Sequence, residues 1–235
     1  MISIVTVTYN AATALSTTAE SVLHQSYSDI EYIIVDGGST DGTIDIIKSM
    51  AHDTRVRYVS EKDNGIFDAM NKGTHMAQGE WIIFMNAGDT FANHDVIRDV
   101  FQDRQYPEVD IIYGDVIKEG KVKQAEPPHN SHRMFFCHQS CFTRRTCLMR
   151  FPFDINHRMS ADIKFVKQAY LAGCKFQQLN MPIAIFDTTG VSNVNRSRGL
   201  LDNIRVVREV DTLSEQFRLL PHLLLPYIIC KIRNK

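Results

Sequence analysis

The chain has no excess of charge of either sign. Its 26 basic and 27 acidic residues leave a formal net charge of -1 over 235 residues. That balance gives no whole-protein field for nucleic acid, and no nucleic-acid partner is expected. Long apolar runs are missing too. No stretch approaches the ~20 apolar residues of a membrane span. The nearest, residues 219–232, is interrupted by Pro221 and Pro226. The N-terminus lacks a basic start, and Thr8, Tyr9 and Asn10 end its apolar run too early for a signal peptide. Cysteine is sparse and odd in number, at Cys137, Cys141, Cys147, Cys174 and Cys230. A chain of this size needs no disulfide staples, so a reducing compartment, the cytoplasm, is expected. Cys137, His138, Cys141 and Cys147 lack the paired close spacing of a structural zinc site and read as buried packing residues. Internal repeats and low-complexity tracts are absent. So are a G-x-G-x-x-G after the first strand and a G-x-x-x-x-G-K-[ST], which excludes a dinucleotide fingerprint and a P-loop.

What is present is an alternation of strand and helix signals. With 44% hydrophobic residues, the chain can build one sizeable core. β-Branched runs predict strands at 2–8, 30–35 and 56–60, and the continuously apolar 81–85 predicts a fourth, buried on both faces. Helical spacing recurs between them. Asn10 is placed to cap a helix carrying Leu15, Ala19, Val22 and Leu23. Ile44, Ile47 and Ala51 share a second helix face. A third helix covers 66–77 and stops at Gly79. This rhythm predicts an α/β fold with a doubly wound, mostly parallel sheet.

The second half changes rhythm. A strand at 111–116 turns through Glu119-Gly120 into 121–124, and 138–143 reads as another. Ser160 is placed to cap a helix carrying Ile163, Val166 and Tyr170, ended by Gly173. Short strands follow at 175–179 and 183–186, then a polar loop at 190–197. Leu201, Ile204, Val207 and Phe217 predict one long amphipathic helix. The expected organisation is a single domain over 1–218, with a nucleotide-binding half (1–115) and an acceptor half (116–218), followed by an apolar and basic tail (219–235).

In a doubly wound sheet, ligands bind beyond the carboxyl ends of the strands. Polar residues collect at four such ends: Thr8-Tyr9-Asn10, Asp36-Gly37-Gly38-Ser39, Glu61-Lys62-Asp63-Asn64-Gly65 and Asn86-Ala87-Gly88-Asp89. Any one of these could be ordinary turn chemistry; together they mark a site. Carboxylates rather than a glycine cradle imply that an anionic phosphate would be met through Mg²⁺ or Mn²⁺. Asp89 is the best ligand candidate, with Asn86 beside it.

The sequence resembles glycosyltransferase family 2, enzymes with the GT-A fold. The resemblance is carried by Ser3-Ile4-Val5-Thr6-Val7-Thr8-Tyr9-Asn10, by Ser21-Val22-Leu23-His24-Gln25-Ser26-Tyr27, by the run from Ile30 to Thr43 that includes Val35-Asp36-Gly37-Gly38-Ser39-Thr40-Asp41-Gly42, and by the run from Glu61 to Gly73. It covers about the first 90 residues strongly and continues more loosely to about Ser192, judged by motif order. It implies that Thr8, Tyr9 and Asn10 line a nucleobase pocket, that Asp36 bonds the base or ribose, and that Ser39, Asp63 and Asn71 lie on the nucleotide side. The family's D-x-D region falls on Asn86–Asp89, where only Asp89 keeps a charge. Asp162 matches the catalytic base. A charge placed in the first turn merely to complement the helix dipole is its alternative. His138 and Gln139 match a segment that meets the donor sugar or acceptor, His138 being alternatively a core histidine. Gly190-Val191-Ser192 match a loop near the pyrophosphate.

The resemblance implies an inverting transfer from a nucleotide-sugar, UDP-linked by analogy, to a saccharide or lipid-linked saccharide in bacterial surface polysaccharide or lipopolysaccharide assembly. Two other readings stay open: a non-catalytic nucleotide-binding subunit and a nucleotidyltransferase. The tail is expected to touch the cytoplasmic face of the membrane peripherally, or else to pack on the domain or on a second copy in a homo-oligomer.

Overall fold

The computed structural model describes residues 1–188 and 196–232. The first half alternates as its sequence predicts: β1 (Ile2–Thr8), α1 (Ala12–Leu23), β2 (Ile30–Asp36), α2 (Thr43–Met50), β3 (Val56–Ser60), α3 (Ile66–Met76) and β4 (Trp81–Phe84). A two-residue β5 (Thr90–Phe91) and α4 (Val96–Phe101) follow, both too short to leave a periodic signal. Then come β6 (Ile111–Lys118), β7 (Lys121–Lys123), a 3₁₀ turn at His138–Ser140, β8 (Cys141–Arg144) and α5 (Arg145–Arg150). The chain continues through α6 (Ala161–Leu171), β9 (Phe176–Phe186), α7 (Arg196–Val210) and α8 (Leu213–Ile232).

Among the described residues the strands form one sheet in the order β3-β2-β1-β4-β8-β6-β9-β5, with β7 on the outer side of the β6 hairpin. β1 pairs in parallel with β2 and β4, β2 with β3, and β6 with β9. β8 runs antiparallel to both β4 and β6, so the sheet is mixed although most strands share one direction. The period-2 alternation sends side chains to opposite faces. Ile4, Tyr32, Ile34 and Ile83 pack against Leu15, Ala19 and Val22 of α1, Ile47 of α2 and Val96 of α4. Val5, Val7, Ile33, Val35, Ile82 and Phe84 pack on the other side with Phe67 and Met70 of α3 and Phe165, Val166 and Ala169 of α6. Each fully buried Ile or Leu contributes about 1.5–3 kcal/mol, so this double core holds the sheet rigid beneath its loops. The parallel register sets Thr8 beside Asp36, and Asp36 beside Ser60.

Several local expectations differ from the structure. Asn10 is not the helix cap: Ala11 takes that position, and Asn10 lies in the left-handed region at φ 49°. Ser160 takes the N-cap position of α6, but its hydroxyl makes no cap hydrogen bond and donates instead to Asn203 Oδ1. Residues 138–140 form a tight turn before β8 rather than its first half. The two strands expected at 175–179 and 183–186 are one strand, β9, whose pairing with β6 shifts register near Asp115. The expected long helix is two, broken between Val210 and Leu213. α8 runs through both Pro221 and Pro226 and across the boundary expected at 218/219. Each proline costs α8 an N–H donor. Packing of Leu219 and Leu223 on Ile204 and Val207 of α7 offsets that loss. The polar loop, with Gly190, Val191 and Ser192, falls largely outside the described residues, as do Arg233 and Lys235.

Candidate active site

Asp36 ends β2 fully buried, and its carboxylate organises the loop that follows. Oδ2 accepts from the backbone N–H of Gly38 (3.2 Å) and Ser39 (3.0 Å) and from Ser60 Oγ (2.6 Å), while Oδ1 takes the Ser39 hydroxyl. Asn10 joins the same loop from the end of β1. Its N–H donates to Ser39 Oγ at 2.7 Å, and its Oδ1 accepts from Thr40 N–H at 2.8 Å. Three strand ends are thus tied into one rim. Tyr9, 64% exposed, stands over it. Gly37 separates Tyr9 from Asp63: a Cβ there would lie 2.7 Å from Asp63 Oδ2 and 3.3 Å from the Tyr9 ring. Asp63 Oδ1 caps the turn into α3 by accepting from Gly65 N–H at 2.9 Å. Thr8 Oγ1 is buried with no hydrogen-bond partner among the described residues. Thr8, Tyr9, Asn10, Asp36, Ser39 and Asp63 therefore converge.

Asn71 does not face this rim with a free amide. Its Nδ2 donates to Phe153 O (2.8 Å) and its Oδ1 accepts from Phe153 N–H (3.0 Å). It joins α3 to the second half of the molecule.

The end of β4 builds the second part of the site. Thr18, on the buried face of α1, holds the turn at 86–89. Its Oγ1 donates to Asp89 O at 2.8 Å and accepts from Gly88 N–H at 2.9 Å. Asp89 is 3% exposed. Desolvation is the main cause that lifts its pKa to about 7, and the neighbouring Asp187 carboxylate adds to it. Hydrogen bonds from Asp187 N–H (2.8 Å) and from the Gln139 side chain oppose the rise. Gly88, at φ 105°, lies so close to Asp187 that any Cβ would strike its Oδ2. The Asn86 Oδ1 is buried with no partner among the described residues. Two crowded carboxylates and an unmatched amide oxygen are a hard-oxygen donor set, and they suit Mg²⁺ or Mn²⁺. The resemblance assigned no role to Asp187. Its one sequence signal is its place directly after a strand.

The 3₁₀ turn divides His138 from Gln139. Gln139 points to Asp89, its Oε1 accepting from the Cys137 thiol at 3.1 Å. His138 stacks on Phe84, with ring centroids 5.5 Å apart, and packs edge-on to Phe153. Burial pushes its imidazole down to about 4, so it is neutral at pH 7, and its Nε2 has no hydrogen-bond partner among the described residues.

Asp162 lies in the first turn of α6, its Oδ1 accepting from Ile163 N–H at 2.9 Å. Desolvation raises its pKa to about 6, with the Asp202 carboxylate raising it further against the backbone hydrogen bonds. A bare dipole complement at a helix N-terminus would be shifted the other way. Cys137 connects the two halves of the site. Its thiol, pushed up to about 11 chiefly by desolvation, also feels the Asp89 and Asp162 carboxylates and the Lys123 ammonium.

A separate group, Asp154, His157 and Glu209, brings ligand-type atoms within 4.8 Å of one another. Its centre is taken by Lys164, whose Nζ lies 2.6 Å from both Asp154 Oδ2 and Glu209 Oε2 and 3.3 Å from His157 Nε2. The ammonium is thus paired with both acids. The five cysteines are free thiols; Cys141, Cys147 and Cys230 are buried and Cys137 and Cys174 half-buried.

The family model for glycosyl transferase family 2 matches residues 3–173. The chain belongs to glycosyltransferase family 2. A PGL/p-HBAD biosynthesis glycosyltransferase of Mycobacterium bovis is 34% identical over 174 residues, covering 70% of this chain and 68% of the relative. An uncharacterised glycosyltransferase of Mycobacterium tuberculosis is 27% identical over 216 residues, covering 87% and 81%. Among solved structures, TarS of S. aureus in complex with UDP-GlcNAc superposes with a TM-score of 0.72 at 15% identity, over 95% of this chain and 71% of that one. A mannosyltransferase from Pyrobaculum calidifontis in complex with GDP-Man and Mn²⁺ gives 0.71 at 17% identity, over 96% and 68%. At such identities these likenesses establish the fold, and it is GT-A.

Proposed function

We propose that this family 2 glycosyltransferase moves a sugar from a UDP-linked donor to an acceptor hydroxyl with inversion at the anomeric carbon. The observation that carries the reading is Asp162, a desolvated carboxylate in the first turn of α6, raised to about 6, whose charge, like that of Asp89, reaches the Cys137 thiol. Asp162 accepts the proton of the acceptor hydroxyl as that oxygen attacks the anomeric carbon. The bond to the nucleoside diphosphate breaks on the opposite side, so one displacement inverts the centre. Asp89, Asn86 and Asp187 are the residues that would hold Mg²⁺ or Mn²⁺, which when bound neutralises charge on the departing diphosphate. The rim of Thr8, Tyr9, Asn10 and Asp63, with the loop that Asp36 and Ser39 shape, receives the nucleoside. Gln139 orients Asp89, while neutral His138 and Phe84 wall the site where sugar and acceptor meet. The UDP preference draws on the UDP-GlcNAc bound by the TarS neighbour.

Surface polysaccharide or glycolipid assembly at the cytoplasmic face of a bacterial membrane is the setting proposed. No described helix is long and apolar enough to cross a membrane. α8 nevertheless exposes Leu213, Phe217, Leu224, Leu225, Ile228 and Ile232 on the side away from its contacts with α7. That face suits an acyl boundary, with Lys231, Arg233 and Lys235 suited to anionic headgroups. The competing occupant is a second copy of the chain.

The test is a panel of nucleotide-sugars with Mn²⁺ and a saccharide acceptor. Release of UDP, with product of inverted anomeric configuration by NMR, is expected. Pyrophosphate release would identify a nucleotidyltransferase. No turnover with any donor, despite nucleotide binding, would identify a non-catalytic subunit.

A further inference from the structure

The turn that delivers Asp162 is held by a helix outside the matched family region. Residues 157–160 run directly into α6. Each of three residues in that turn is gripped from α7, which begins at Arg196, beyond the family match ending at 173. Asp202 Oδ2 accepts from Met159 N–H at 2.9 Å, and Asp202 Oδ1 faces His157 Nδ1 at 3.0 Å. Asn203 Oδ1 takes the Ser160 hydroxyl, the group that would otherwise cap α6. Asp202 and His157 are both buried. The other side of His157 is closed by Glu209 (2.9 Å) and Lys164 (3.3 Å), and Lys164 is itself anchored to Asp154. A buried carboxylate with both oxygens engaged is a rigid support, because breaking either contact leaves a desolvated polar group.

We propose that Asp202 is a positioning residue for Asp162: it fixes the turn at 157–160 that aims the base. The inference rests on Asp162 being the base. The groups facing Asp162 are the Asp202 carboxylate from α7, the Cys137 and Cys141 thiols from the segment leading into β8, and the Ile163 N–H of its own helix. The Asp202 charge favours the protonated form of Asp162, so it moves the base toward neutral pH and strengthens it as a proton acceptor. A base must be ionised to act, so activity rises with pH through the Asp162 titration. Removing the Asp202 charge moves that rise to lower pH.

Two variants separate charge from support. Asp202→Asn keeps an acceptor for Met159 N–H, and His157 can meet its NH₂ in the other tautomer. The acid limb of its kcat–pH profile shifts to lower pH, while the donor KM and the melting temperature stay close to wild type. Asp202→Ala loses the support as well, and kcat falls by up to about 10²-fold, the effect of a base displaced by roughly 1 Å, with donor KM again retained. An Asp202→Ala variant with wild-type kcat would overturn the proposal, as would a fall in nucleotide affinity at unchanged kcat. Asp162→Asn is run alongside. If it stays active, the base assignment is what has failed; if it is inactive while Asp202→Ala keeps full kcat, the failure belongs to Asp202 alone.

Discussion

Asn71 holds Phe153 by both its backbone N–H and its backbone carbonyl, across 82 residues of chain. The side-chain amide imitates a strand partner and joins the nucleotide-binding half to the loop before α6. Phe153 in turn packs on Phe67, Phe84 and Phe165. Asn71→Ala leaves two partly buried backbone groups unpaired, at a cost of roughly 1–3 kcal/mol. The expected result is a lower melting temperature with UDP affinity within about twofold of wild type, a factor worth under 1 kcal/mol. Calorimetry that found a large loss of UDP binding would place Asn71 in contact with the nucleotide instead.

Asp162 gives a pH prediction of definite sign. Its folded pKa, about 6, lies above the ordinary carboxylate value, so folding favours its protonated form. Ionising it costs stability as pH rises from the ordinary range through about 6. Catalysis needs the ionised form, so kcat climbs over that same interval. Asp162→Asn therefore loses about 10²–10⁴-fold in kcat and melts higher than wild type at pH 7.5. A variant within a few-fold of wild-type activity would return Asp162 to the helix-dipole role.

Asp89 and Asp187 can be tested together. Asp89→Ala and Asp187→Ala are each expected to abolish turnover while the protein stays folded, and EDTA to do the same to wild type. Added Mn²⁺ restores the EDTA-treated enzyme and neither variant. Full activity in excess EDTA would remove the metal from the mechanism.

The role proposed for Asp36 runs through the loop it shapes. Asp36→Ala frees the N–H groups of Gly38 and Ser39 and the hydroxyl of Ser60. UDP binding is expected to weaken by more than tenfold, about 1.4 kcal/mol. Equal affinity by calorimetry would move the nucleobase elsewhere.

The exposed face of α8 allows a test that spares the fold. Truncation after Phe217 would remove Leu219 and Leu223, which pack on α7. Phe217 and Leu225, 82% and 64% exposed, can instead be changed to Glu. The wild-type chain is expected to sediment with anionic liposomes at low salt and the double variant to stay in solution. A wild-type chain that ignores liposomes but loses a dimer on substitution would assign the face to a second copy.

The sequence by itself determined the alternation of strands and helices in the first half and the gathering of polar residues at the strand ends. Those features are written in local periods and turn residues, and Asp36, Asp63 and Asp89 stand where such reading puts them. It also marked Asp162 at the start of a helix. Only the tertiary structure decided which polar groups find each other. The hydroxyl of Ser160, a natural cap, is claimed by Asn203, 43 residues away. Asn71, in a nucleotide-side motif, is spent on Phe153. Asp187 reaches Asp89 across 98 residues. A side chain's hydrogen bond goes to whichever partner the packed sheet and helices bring within about 3 Å. No pattern of nearby residues encodes that distance. The raised pKa of Asp162 is likewise a property of assembly: the chain supplies the carboxyl group, and burial beside Asp202 gives it the strength of a base.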